Sequence, residues 1–162
     1  RTTLGLRGGL SGVLRVLGLD PSTLVVDTPS GRLHLGADGV AQLIGAVDLV
    51  VDTTTHSVIG PIGRIDGRPT VAAMLAALAA AGSTPVPADQ LYRTVWGAPA
   101  YLPARHRNTL YVALGRVRAA VRPLGESREL ILRRGDGWLL DPAIAVAVVR
   151  RDPRTEDGEP KA

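Results

Sequence analysis

The chain has 162 residues, 45% of them hydrophobic and 21% charged, a length and balance that suit one well-buried domain with an extension and exclude wholesale disorder. It has no cysteine, which rules out disulfides, thiolate zinc sites and a cysteine nucleophile, and the isolated His34, His56 and His106 do not make a metal set, so no cofactor is expected. The net charge of +4 is unevenly carried: residues 1–100 balance seven Arg with seven Asp, residues 101–151 set ten Arg against Glu126, Glu129, Asp136 and Asp141, and residues 152–162 are net acidic.

No apolar run approaches the ~20 residues that span a bilayer, and the N-terminus lacks the apolar core of a signal peptide. A cytoplasmic protein without a membrane partner is therefore expected. Phe is absent and aromatics are few, so Leu, Val, Ile and Ala must fill the core. Of the 19 basic residues all but Lys161 are Arg. That preference is explained as well by genomic base composition as by selection for bidentate donors; the clustering of the arginines is not.

In chain order, residues 1–12 are rich in Gly and Thr and read as a loose lead-in. "LVVDT" then occurs at 24–28 and again at 49–53, each copy followed by a turn and a second apolar stretch. These are two hairpins of a small antiparallel sheet, with Asp27 and Asp52 as turn residues rather than catalytic carboxylates. Residues 38–46 fit a short helix and a strand equally.

In "RPTVAAMLAALAAAG", Val71, Met74, Leu75 and Leu78 recur at helical spacing, with Pro69 near the first turn and Gly82 as the stop, which predicts a helix over about 70–81. "PADQLYRTVWG" puts Leu91, Tyr92, Val95 and Trp96 on one side, with Asp89 in the first turn and Gly97 at the end, a second helix over about 88–96. A loop at 98–107 leads into a third helix, roughly 107–122, closed by Pro123. Next, "ELILRR", "GDG" and "WLLD" form a hairpin over 129–140 whose Asp-Gly pair suits positive φ. A buried strand at 143–149 and a solvated tail at 151–162 follow.

Strands, three helices and a two-stranded hairpin, in that order, are the winged helix-turn-helix plan. The predicted fold class is α+β: three helices plus a C-terminal β-hairpin wing, preceded by a small antiparallel β-sheet. Residues 1–46 form a strand-rich extension and 47–150 the main domain.

Nothing in the sequence assembles an active site. Ser and His are sparse and scattered, no GxxxxGK[ST] phosphate loop occurs, and "RGDG" at 134–137 is explained by a hairpin tip, so an enzyme is not expected. The third helix is more informative. At 100° per residue, Leu110, Ala113, Leu114, Val117, Ala120 and Val121 form a core stripe. The opposite side is Asn108, Val112, Gly115 and Ala119, shouldered by Arg116 on one edge and by Tyr111, Arg118 and Arg122 on the other, with no acid.

A merely solvated face would mix Glu with Arg and would avoid an interior Gly, which costs roughly 1 kcal/mol against Ala. A smooth ridge flanked by arginine fits a surface that another body approaches closely. The DNA major groove admits one helix and rewards Arg at phosphate or guanine, Asn at adenine and small apolar groups at the thymine methyl. Arg105, His106 and Arg107 stand just before the helix, where backbone donors favour phosphate. Arg133 and Arg134 stand just before the hairpin tip, within reach of an adjacent minor groove. The alternative is a winged helix used for protein contacts, whose Val112, Gly115 and Ala119 ridge docks a partner helix.

Taken together, "LYRTVWG", "NTLYVALGRVRAAV" and "RRGDGWLL" resemble the C-terminal effector domain of OmpR/PhoB-type response regulators, over about residues 47–141. The resemblance implies a transcription regulator that binds double-stranded DNA, usually as a homodimer on direct repeats. It places Asn108, Thr109, Tyr111, Val112, Arg116 and Arg118 where that family contacts DNA from the recognition helix, and Arg134 where the wing enters the minor groove. It also implies that loop 98–107 can touch RNA polymerase. Tyr111, Ala113 and Gly115 stand where the family commonly has polar or basic residues. The first LVVDT hairpin and the strand at 143–149 lie outside the family pattern.

Overall fold

The computed structural model describes residues 24–28, 31–34, 47–126 and 128–151; the expectations for 1–12, for 38–46 and for the tail beyond Arg151 lie outside them. The elements in order are β1 (Leu24–Thr28), β2 (Gly31–His34), β3 (Leu49–Asp52), β4 (Ser57–Gly60), β5 (Gly63–Ile65), α1 (Pro69–Ala80), β6 (Val86–Pro87), α2 (Ala88–Trp96), α3 (Pro103–Val121), a 3-10 turn (Arg122–Leu124), β7 (Ile131–Arg134), β8 (Gly137–Leu140) and β9 (Val146–Arg151). The fold is α+β, with three helices and two sheets among the described residues.

Both LVVDT segments begin hairpins, as their composition predicts, but the two hairpins are not neighbours. The larger sheet runs β2-β1-β9-β3-β4-β5. β9 lies between the two copies, antiparallel to β1 with Val149 opposite Val26, and parallel to β3 with Val148 opposite Val51. The expected antiparallel sheet is thus a mixed one. The reason is in β9 itself: Val146, Ala147, Val148 and Val149 are all buried, and a strand buried on both faces belongs in the interior of a sheet.

The last strand also starts later than its apolar run suggests. Residues 143–145 are held in a turn, because the Asp141 carboxylate accepts Ala143 N–H (2.9 Å), its carbonyl accepts Ile144 N–H (2.9 Å), and the Asp48 carboxylate accepts Ala145 N–H (2.7 Å). The strand extends to Arg151, which therefore belongs to the sheet rather than to a tail. Asp52 is a turn residue as expected: it is buried, and Oδ1 accepts the Thr54 N–H (2.8 Å) and hydroxyl (2.6 Å) while Oδ2 accepts the Thr55 hydroxyl (2.8 Å). Asp27, in the other copy, sits within β1 and forms an ion pair with Arg150 of β9, so it braces two strands.

α1 opens on Pro69 and is followed by Gly82 at φ +61°. Its buried Val71, Ala72, Met74, Leu75 and Leu78 pack against β3, β4 and β9 of the larger sheet, β8 of the smaller one, and both other helices. It is the hub of the core. α2 ends on Gly97 in the left-handed conformation, where glycine carries no steric cost.

α3 begins four residues earlier than the apolar periodicity suggests. Pro103 occupies its first position after an extended Leu102 (φ −111°, ψ 107°), and Arg105 and His106 N–H both donate to the Leu102 carbonyl (2.9 Å each). The His106 ring Nδ1 in turn accepts the Leu102 N–H (3.0 Å). A proline with fixed φ and no N–H suits this position, so it starts the helix rather than interrupting it. Only residues 98–102 of the predicted loop 98–107 remain non-helical. At the other end Pro123 lies inside the 3-10 turn that follows Val121.

The smaller sheet has the order β6-β8-β7, with Val86 opposite Trp138 and Arg133 also opposite Trp138. The hairpin tip is Gly135–Asp136, and the positive φ (64°) falls on Gly135, not on the Asp-Gly pair. Gly137 serves a different end: a Cβ there would lie 3.0 Å from Pro85 Cβ and 3.0 Å from the Val86 carbonyl oxygen, so its absence lets β8 close on β6.

A polar knot fixes the region after α3 to the larger sheet. The buried Glu126 carboxylate accepts Arg128 N–H (3.0 Å) and Nε (2.8 Å) on one oxygen and NH2 (2.9 Å) on the other. Arg128 also donates to the Ala143 carbonyl (3.2 Å) and pairs with Asp48 (3.1 Å). The hydrogen bonds from the Arg128 side chain hold the Glu126 carboxyl below its ordinary value of 4.5. A depressed folded-state pKa contributes stability above 4.5 that is lost as the pH falls through and below that value. Glu126→Gln should therefore be less stable than the wild type in urea at neutral pH, with the gap closing below pH 4.5; a gap of constant size would assign the loss to packing instead of charge.

Candidate nucleic-acid interface

α3 and the β7–β8 hairpin form one continuous surface. The inner stripe of α3, Leu110, Ala113, Leu114, Val117 and Val121, is buried as the wheel predicts. Asn108, Thr109, Val112, Gly115, Arg116 and Ala119 are exposed. Val112 keeps 43% of its surface in solvent, and a Cβ added at Gly115 would meet nothing within 4 Å. Packing inside the domain therefore explains neither the exposed valine nor the glycine.

Asn108, Thr109, Val112, Ala113 and Arg116 form one wall of a groove of about 340 Å³, faced by Thr70 and Val71 of α1 and by Trp96 of α2. Arg116 stands at this groove. Arg105 and Arg107 are exposed on the first turns of α3 rather than ahead of its N-terminus, because the helix opens at Pro103; they bring side-chain charge but not the free N–H groups of a helix start. His106, between them, turns inward, stacking on Tyr92 at 4.4 Å between ring centroids, and Tyr92 stacks on Trp96 at 4.7 Å. That stack joins α2 to the start of α3.

Three of the predicted contact residues lie along the seam between helix and hairpin. Arg118, set on an outer shoulder by the wheel, is half-buried: its Nε donates to Glu129 Oε1 (2.8 Å) and an NH2 donates to the Ile131 carbonyl (3.2 Å). Tyr111 packs edge-on against Trp138 at 5.7 Å. The Arg133 guanidinium lies 5.3 Å from the Trp138 ring and 6.0 Å from the Tyr111 ring, within cation–π range of both.

Arg134 is exposed beside the tip. Among the described residues the side chains of Arg105, Arg107, Arg116 and Arg134 have no hydrogen bond or ion pair. The wheel could not separate Arg116 from Arg118, because Glu129 reaches α3 only through the turn at Arg122–Leu124, which the periodicity does not describe.

Among the described residues no group of three His, Asp or Glu is placed to hold a metal ion, and no helix is long and apolar enough to cross a membrane. No protein-family model, curated protein or solved structure matches the chain.

Proposed function

We propose that the chain is a winged helix-turn-helix regulator of transcription that binds duplex DNA, with α3 in the major groove and the β7–β8 hairpin as the wing in the adjacent minor groove. The observation that carries this reading is the set of exposed, unpaired arginines, Arg105, Arg107, Arg116 and Arg134, along an acid-free helix and its neighbouring hairpin. Unneutralised cations spaced along one surface are what a polyphosphate backbone requires. Arg116 takes a phosphate or a guanine edge, Asn108 and Thr109 anchor the start of the ridge, Val112 meets an apolar base edge, and Arg134 reaches the minor groove. The three segments that resemble OmpR/PhoB-type effector domains support the regulatory role.

Fluorescence anisotropy against duplex DNA between about 50 and 200 mM salt tests this directly. Four phosphate contacts give a slope of log K against log salt of roughly −3 to −4. The exposed Val112 beside Gly115 and Ala119 also favours a second reading, an apolar dock for a partner helix. That reading predicts no steep salt dependence and no duplex binding.

Gly115→Ala separates the two properties of the ridge. With open space around position 115, the substitution should raise helix stability by up to about 1 kcal/mol, seen as a higher thermal midpoint, while weakening duplex binding through the added methyl. A stabilised variant with unchanged affinity would remove the ridge from the DNA contact.

A further inference from the structure

The seam between α3 and the hairpin carries a charge that is already paired within the fold. Arg118 uses Nε on Glu129 and one NH2 on the Ile131 carbonyl, so its charge is paired with a carboxylate and two of its five N–H donors are held by residues at the root of the hairpin. Two helical turns back on the same side, Tyr111 meets Trp138, and Arg133 lies over both rings. The seam is thus tied at two levels, near the root of the hairpin by Arg118 and Glu129, and nearer its tip by Tyr111, Arg133 and Trp138.

We infer that Arg118 and Glu129 are positioning residues that fix the hairpin against α3 and so set the spacing between major-groove and minor-groove contacts, and that Arg118 is not itself a DNA contact. This rests on the duplex-DNA reading above. A guanidinium already neutralised by a carboxylate displaces no counterions from DNA, whereas a fixed hairpin lets Arg134 meet the duplex without first being ordered. Glu129 is an acid beside a DNA-facing surface. It weakens binding by repulsion unless the order it imposes outweighs the charge it adds.

The two roles for Arg118 predict opposite signs for Glu129→Gln. The probe is a duplex selected by the wild-type chain from a random pool, read by anisotropy over a salt series and by hydroxyl-radical footprinting. If Arg118 positions the hairpin, Glu129→Gln weakens binding about two- to fivefold, the range of an exposed ion pair. Protection is then weakened at the minor-groove end only, the salt slope is no steeper than that of the wild type, and Arg118→Ala combined with Glu129→Gln is no worse than Arg118→Ala alone. If Arg118 is instead a phosphate contact masked by Glu129, the same substitution frees it. Binding then tightens, the slope steepens by about 0.9, and the inference is overturned. A wild-type chain that selects no duplex overturns it together with the reading it rests on.

Discussion

Gly60→Ala should destabilise the domain by on the order of 3 kcal/mol, the upper part of the usual range for overpacking. A Cβ at position 60 would lie 2.4 Å from the Leu124 carbonyl oxygen and 2.5 Å from Leu124 Cβ. Neither atom can swing aside. Leu124 is buried, and its carbonyl accepts the Ile62 N–H at 3.1 Å, so the turn that ends α3 is seated on the β4–β5 hairpin through this contact. Gly63→Ala is the matched control, since its Cβ would meet Leu124 Cδ2 at an ordinary 3.6 Å. Urea unfolding should show a lower midpoint at constant slope for the first variant and little change for the second. Equal midpoints would mean that the turn yields at small cost.

The largest functional effect is expected from Arg116→Ala combined with Arg134→Ala. Both side chains are exposed and unpaired among the described residues, so the double variant should keep the wild-type urea midpoint. Each arginine accounts for one contact of about 1–3 kcal/mol. Together their loss should lower duplex affinity by about a hundredfold at low salt and make the salt slope shallower by about 1.8. Removing Arg118 in place of Arg134 should flatten the slope by only half as much, because Arg118 is already neutralised by Glu129. Superimposable anisotropy curves for wild type and the Arg116, Arg134 variant would remove α3 and the hairpin tip from the interface.

Local signals carried α1 and α2 from sequence to structure almost unchanged. Pro69, Gly82 and Gly97 act on their own turn of chain, and the apolar spacing between them has one helical interpretation. The inner stripe of α3 was legible for the same reason. Its start was not, because Pro103 reads equally as the end of a loop or the first residue of a helix, and the deciding contact comes from the His106 ring. β6, two residues long, has no periodicity to detect. Nothing local tells β9 to run parallel to one copy of LVVDT and antiparallel to the other.

The candidate site was legible as a composition and not as an arrangement. The wheel located the smooth ridge and its arginines, but it treats the helix as if nothing stood beside it. Glu126 and Glu129 entered the sequence reading only as counted negative charge; in the fold one organises Arg128 and the other engages Arg118. These pairs depend on where the 3-10 turn delivers the chain, which is a property of packing.

The position of β9 also dictates an order of assembly. β3 and β4 can pair as soon as they are made, but the inner edge of β3 stays open until residues 146–149 arrive. β1 has no neighbour other than β2 and β9 among the described residues. On the ribosome the first LVVDT hairpin must therefore wait for nearly the whole described chain before it can join the sheet, and closing so long a loop is slow. While it waits, two copies of the same five residues compete for one strand. Side chains and flanking residues mark the two sides: Asp27 meets Arg150 across β1 and β9, while beside β3 the Thr53 hydroxyl donates to the Val149 carbonyl and Asp48 accepts the Ala145 N–H.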